Sequence, residues 1–281
     1  MRKSTLAGSW YPGEKHTLRE QIESLLLQAD TPDMKGCLFG LIAPHAGIQF
    51  SGQAAACAYR LLRGRAINRV ILIGPSHYQG FSGLAVSGVD AYETPLGRMK
   101  VDQERAEILA ALPLFQGPSK AELPEHSLEM HLPFLQTVLP DCELLPLVAG
   151  HLSLDDCANA ARELTQLMDS RTIVAVSSDF THYGQRFGYL PFKENVHENL
   201  HALDSGAIDC ILKKDCGSFL EYVAKTGATI CGSSPIALLL QMLPPESCGS
   251  LLTYYTSGDI LGDYSETVSY ASIVFMNGSC T

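Results

Sequence analysis

Short apolar runs rich in β-branched residues alternate along most of this chain with longer stretches whose apolar residues recur every three or four positions, and that alternation leaves few folds open. A strand buried on both faces reads as a continuous apolar run, and helices set between such runs let the strands lie parallel under cover. The strand candidates are CLFGLIA (37–43), RVILIG (69–74), GLAVSG (83–88), CELLPLVA (142–149), TIVAVSS (172–178), SLLTYYT (250–256) and TVSYASIVFM (267–276). Helical spacing marks 13–29, 51–62, 101–112 and 153–168, with Asp102 and Ser153 placed as N-caps, and 183–245 reads as mostly helical. The expected fold class is α/β, a central largely parallel or mixed β-sheet flanked by helices, with the last two strands as a hairpin or edge pair. No linker, internal repeat or low-complexity stretch divides residues 1–281, so one domain is expected.

Charge and composition then remove whole classes of function. A formal net charge of −10 with no Lys/Arg cluster argues against a nucleic acid or an anionic membrane surface as partner. No run approaches the roughly 18 apolar residues of a membrane span. The opening MRKSTLAGSWYPG lacks the apolar core of a signal peptide, so a cytoplasmic location is expected. Nine cysteines, an odd number without any C-x-x-C, fit reduced thiols better than a disulfide framework. Cys57 and Cys157, in helical contexts, read as small buried hydrophobes.

In open α/β sheets ligands bind beyond the carboxyl ends of the strands. Three strands deliver polar residues there: LIAPH ends at His45, ILIGPSHY at His77, and VAVSSDFTHYG at Asp179 and His182. Their joint appearance points to a shared site. Cys231, in GATICGSSPIALLLQML, stands just before a helix that Ser233 or Ser234 can cap, where the positive helix end favours thiolate. Two imidazoles and a thiolate suit a first-row transition metal and leave positions open. Iron(II) would ordinarily take a carboxylate, which Asp179 can supply, while copper and zinc accept His and Cys. In LPEHSLEMHLPFLQ, His126 and Glu129 share one helical face and read as pocket wall.

The ordered motifs AGSWYP, APHAGIQFSG, GPSHY, ETPLG, EHSLEMHLPFLQ, SSDFTHYG and CGSSPI, spanning about residues 7 to 275, resemble the Memo family. The resemblance implies a single domain similar in fold to the class III extradiol dioxygenases, which are non-haem iron enzymes. It implies that His45, His77 and Cys231 correspond to the family's metal-site residues, with Asp179 and His182 beside them. It also implies possible partners of two kinds, radical-SAM and Ammecr1-type proteins, which accompany prokaryotic relatives, while eukaryotic relatives are associated with cell motility and receptor tyrosine kinase signalling. The dioxygenases place a carboxylate where this chain offers Cys231, and a thiolate alters both redox potential and oxygen chemistry.

The expected function is a metal-binding protein with redox or oxygen-linked chemistry, a dioxygenase-like oxidoreductase if it is an enzyme. One transition metal ion is expected, iron(II) first, with copper or zinc as alternatives. His45, His77 and Cys231 would hold it, His182 would serve as acid/base, and Asp179 would orient His182 or join the metal. Two other classes stay open: a zinc-type metallohydrolase on the same ligands, and a non-catalytic module that holds a small molecule or short peptide in a cleft walled by Trp10, Tyr11, His126 and Glu129.

Overall fold

The computed structural model describes residues 1–32, 34 and 36–277. Its N-terminal half contains β1 (Arg2–Lys3), α1 (Lys15–Gln28), β2 (Leu38–Ala43), α2 (Ile48–Arg60), β3 (Arg69–Pro75), β4 (Leu84–Val86), β5 (Ala91–Thr94), β6 (Gly97–Lys100), α3 (Gln103–Ala110), α4 (His126–Glu129) and α5 (Leu132–Val138). There follow β7 (Glu143–Ala149), α6 (Leu154–Gln166), β8 (Thr172–Ser177), β9 (His182–Tyr183), α7 (Val196–Leu212), α8 (Cys216–Thr226), α9 (Ser233–Met242), β10 (Ser247–Thr256), α10 (Ser257–Leu261) and β11 (Thr267–Asn277).

The apolar runs do pair as a mixed sheet, in the order β10-β11-β2-β8-β3-β7-β4, with β9 also on β11. Its centre, β2, β8, β3 and β7, is parallel, and β11 and β4 run antiparallel along its two sides. Alternation along each strand feeds two cores. Val70 and Leu72 pack toward α1, α2 and α5, with Leu18, Ala56 and Leu135. Ile71 and Ile73 pack toward α6 to α9, with Leu164, Ile208, Phe219 and Leu239. Covered on both faces, β3 and β8 are buried at every position, which is why they read as unbroken apolar runs. The result is a single α/β domain of helix, sheet and helix layers.

Local chemistry sets the helix starts as expected at two positions. The Asp102 side chain accepts from Arg105 N–H, and Ser153 and Asp156 form a reciprocal capping box. The expected edge pair is β10 with β11, the former starting earlier, at Ser247. A second small sheet, β1-β5-β6, has no counterpart among the expected strands. AYET and GRMK are too short and too charged to show a period. Cys57 and Cys157 are buried free thiols. Among the described residues no helix is long and apolar enough to cross a membrane.

One glycine decides how closely α4 approaches the sheet. A Cβ on Gly74 would stand 2.5 Å from Ser127 Oγ and 3.0 Å from Leu128 Cδ2. The Ser127 hydroxyl cannot swing away freely, because it donates to the Pro75 carbonyl at 2.9 Å. Gly74→Ala should therefore destabilise the fold by about 1–3 kcal/mol in denaturant unfolding; a change under about 0.5 kcal/mol would show that α4 is not seated by this contact.

Candidate metal centre

The carboxyl ends of β2, β8 and β3 lie side by side, because Ala43 stands opposite Ser177 and Ile73 opposite Val176 in parallel register. The residues just past those ends come together in turn. His45 is 1% exposed, and its ring centroid lies 5.1 Å from that of His77 and 5.3 Å from that of His126. His45, His77 and His126 each offer a ligand atom within 4.8 Å of the others, a group that can hold a metal ion.

The hydrogen bonds fix which nitrogens face inward. The Ser177 hydroxyl has one proton and donates it to the Ser127 carbonyl at 2.6 Å. It must then accept the 2.6 Å bond from His45 Nδ1–H, which leaves His45 Nε2 with a lone pair. His77 is oriented by Glu125, whose carboxylate accepts from Nδ1–H at 2.8 Å and from the His77 backbone N–H at 2.7 Å, which leaves Nε2 as the nitrogen that can serve as a ligand. A carboxylate behind a histidine is a common arrangement in metal sites, where it orients the ring and raises its basicity. Burial opposes the Glu125 charge, but the bonds from His77 and from Ser127 N–H outweigh it and take the carboxyl down to about 2. Burial, then the neighbouring His77 and His126 rings, hold His45 well below the ordinary histidine range, and burial takes His126 down to about 4. These two rings are thus neutral at physiological pH, the form that binds metals.

Cys231 lies against this group. Its Sγ is 3.4 Å from His45 Nε2, close to the roughly 3.5 Å that sulfur and nitrogen ligands of one tetrahedral ion would keep at bonds of about 2.3 and 2.05 Å. The helix end does not lower its pKa. Burial, then the Asp179 carboxylate, push the thiol well above its usual range, so a metal would have to displace a proton to bind it. Gly232, rather than Ser233 or Ser234, occupies the N-cap of α9; its N–H donates to Ser178 Oγ, and Ser234 Oγ accepts from Leu152 N–H.

Asp179 and His182 do not pair as expected from sequence. Asp179 leaves β8 beside the β2–α2 turn, and its Oδ1 accepts from the His45 backbone N–H at 2.8 Å, with Oδ2 3.9 Å from His45 Nε2. Burial raises its carboxyl pKa. His182 is carried off on β9, and its Nδ1–H instead donates to the Thr229 carbonyl at 3.0 Å. That bond leaves Nε2 as an acceptor in the neutral ring.

Of the four residues expected on a pocket wall, His126 joins the histidine group and Trp10 packs on it with ring centroids 4.9 Å apart. Tyr11 and Glu129 lie behind them: the Tyr11 hydroxyl donates to Glu129 Oε1 at 2.8 Å, and Glu129 is wholly buried. Glu125 and Ser177, which set two of the three rings, are not among the residues that the sequence pattern singles out. The acid directly before His126 was a usable signal for the first; a serine inside an apolar strand was the only one for the second.

Comparison with known proteins agrees with these motifs. The family model described as Memo-like protein matches residues 2–274. The chain belongs to the Memo-like protein family. Relatives include Protein MEMO1 of Xenopus laevis, 33% identical with 96% of each chain covered. A MEMO1 family protein of Nitrosopumilus maritimus is 32% identical over 98% of this chain and 100% of its own. A solved structure of an uncharacterized protein from Escherichia coli K12 matches with a TM-score of 0.51 at 12% identity, covering 86% of this chain and all of that one, and shows the fold alone.

Near the histidine group, wholly buried His131 shares a 2.7 Å hydrogen bond with Tyr59 through Nδ1, while its Nε2 has no hydrogen-bond partner among the described residues. Burial takes it down to about 3. An unfolded histidine takes up its proton near pH 6.5, so between there and about pH 3 the unfolded chain binds a proton the folded one refuses. Stability present above pH 6.5 is therefore lost on acidification, by about 1.4 kcal/mol per pH unit from this residue alone. Denaturant unfolding of His131→Gln should show a shallower fall between about pH 6 and 4 than the parent protein; equal slopes would mean that His131 titrates normally.

Proposed function

We propose that this site holds one redox-active transition metal, iron(II) first and copper next, and supports oxidoreductase chemistry on a small molecule. The observation that carries the reading is the convergence of three imidazoles, two of them held neutral, with a thiol 3.4 Å from His45. His45 and His77 would anchor the ion through Nε2, and Cys231 or His126 would complete the set. When bound, the metal would supply Lewis acidity and an accessible one-electron couple.

The protein's own groups have separable tasks. Glu125 and Ser177 orient the rings, Cys231 would give up its proton if it served as the ligand that completes the set, and Asp179 holds the turn that carries His45. His182, backed by the Thr229 carbonyl, would accept or return a proton through Nε2. A cleft of about 430 Å³ beside the histidine group is lined by Cys231, Ser76, Phe81, His151 and Ser234. That volume falls among small-ligand pockets, which run from roughly 300 to 1,000 Å³. The three-imidazole group favours a second reading, a zinc hydrolase that activates water on the same nitrogens.

Anaerobic reconstitution with iron(II), followed by elemental analysis, should give about one equivalent in the parent protein and in His182→Ala. His77→Ala should lose that metal with little change in melting temperature, because the His77 side chain is 26% exposed and beyond the strand. Full occupancy in His77→Ala would remove it from the ligand set. Glu125→Gln should weaken binding about 10–100-fold. Oxygen uptake that depends on iron or copper supports the redox reading, and zinc-dependent turnover without oxygen would replace it with the hydrolase.

A further inference from the structure

We infer that Arg2 is a positioning residue for the histidine centre, an inference that rests on reading the cluster as a metal site. Arg2 is 3% exposed, and its backbone is fixed by pairing with Tyr92 in β5. Its guanidinium makes three bonds of 2.7 Å to one short segment: Nε to the Glu122 carbonyl, Nη2 to the Glu125 carbonyl and Nη1 to Glu129 Oε2. Glu125 is the carboxylate behind His77, and His126 is the next residue. The planar fork of arginine therefore spans the loop that supplies one ligand support and one ligand, and holds its two carbonyls and its carboxylate at fixed spacing.

The same ion pair acts on the centre from a second side. Glu129 also accepts from the Ser4 hydroxyl, Thr5 N–H, Leu6 N–H and the Tyr11 hydroxyl, which folds residues 4–11 around it. Within that fold Trp10 is pressed on His126, and the Trp10 carbonyl accepts from Ile48 N–H at the start of α2, three residues past His45. One buried pair thus ties the supports of all three histidines. A purely structural pair would raise stability and do nothing else; this one sets ring positions, so its loss should alter ligand geometry in a folded protein.

Arg2→Lys tests this, because an ammonium keeps the charge opposite Glu129 without the fork that reaches both carbonyls. Trp10 is the single tryptophan of the chain, so its emission reports the contact with His126 directly. In Arg2→Lys, at a temperature where circular dichroism shows the fold intact, Trp10 emission should move to the red and become more accessible to acrylamide. The His126 ring proton resonances should shift, and cobalt(II) affinity should fall about 10–100-fold. Arg69→Lys is the control, since Arg69 is a buried arginine paired with Asp102 and Asp169; it should lower the melting temperature and leave the other readouts unchanged. If both variants lower the melting temperature while Trp10 emission, His126 resonances and cobalt affinity stay at parent values, the inference is overturned. If the parent protein takes up no cobalt, the metal reading fails, and Trp10 and His126 still decide whether Arg2 positions the cluster.

Discussion

Parallel pairing of β8 with β2 on one side and β3 on the other is the constraint on which the centre depends. Neighbouring strands in a sheet lie roughly 4.8 Å apart, so three adjacent carboxyl ends deliver their next residues into a space about 10 Å across. Register then chooses the residues. With Ala43 opposite Ser177, the Ser177 side chain reaches the ring two residues beyond Ala43, and Asp179 reaches the His45 backbone. A one-residue slip would turn Ser177 to the other face of the sheet and leave His45 without its partner.

Burying several imidazoles together works against charge and in favour of metal. Two protonated rings at these distances would repel inside a medium of low dielectric, and burial alone already penalises each proton. The protein answers by keeping His45 and His126 neutral and by occupying the outer nitrogens of His45, His77 and His182 with a serine, a carboxylate and a backbone carbonyl. Inner lone pairs remain, and a cation is the partner that satisfies several at once. The thiol beside them is likewise held protonated, which would make any metal uptake through it proton-coupled and pH-dependent.

Much of this was legible in the chain because it depends on local pattern. Strands buried on both faces announce themselves as apolar runs, and a histidine directly after such a run has little choice of direction; His45 and His77 were found this way. What escaped depends on contacts far apart in sequence. The placement of His126 in the histidine group follows from a four-residue helix seated by Ser127 on the Pro75 carbonyl over Gly74. The inward turn of Glu129, away from the cleft, follows from Arg2, more than a hundred residues earlier. Asp179 and His182, three residues apart, separate because β9 joins β11 and takes the imidazole with it. Short charged strands such as AYET and GRMK carry no period to read.

The central claim is that hydrogen bonds preset the tautomers so that inner nitrogens converge as lone pairs. Long-range nitrogen–proton NMR of the imidazoles in metal-free protein near neutral pH measures this directly. The account predicts a proton on Nδ1 in both His45 and His77 and a neutral His45 ring, with Nε2 of both shifted on titration with a diamagnetic ion such as zinc. A proton on His45 Nε2, or a His77 ring without one on Nδ1, would contradict it.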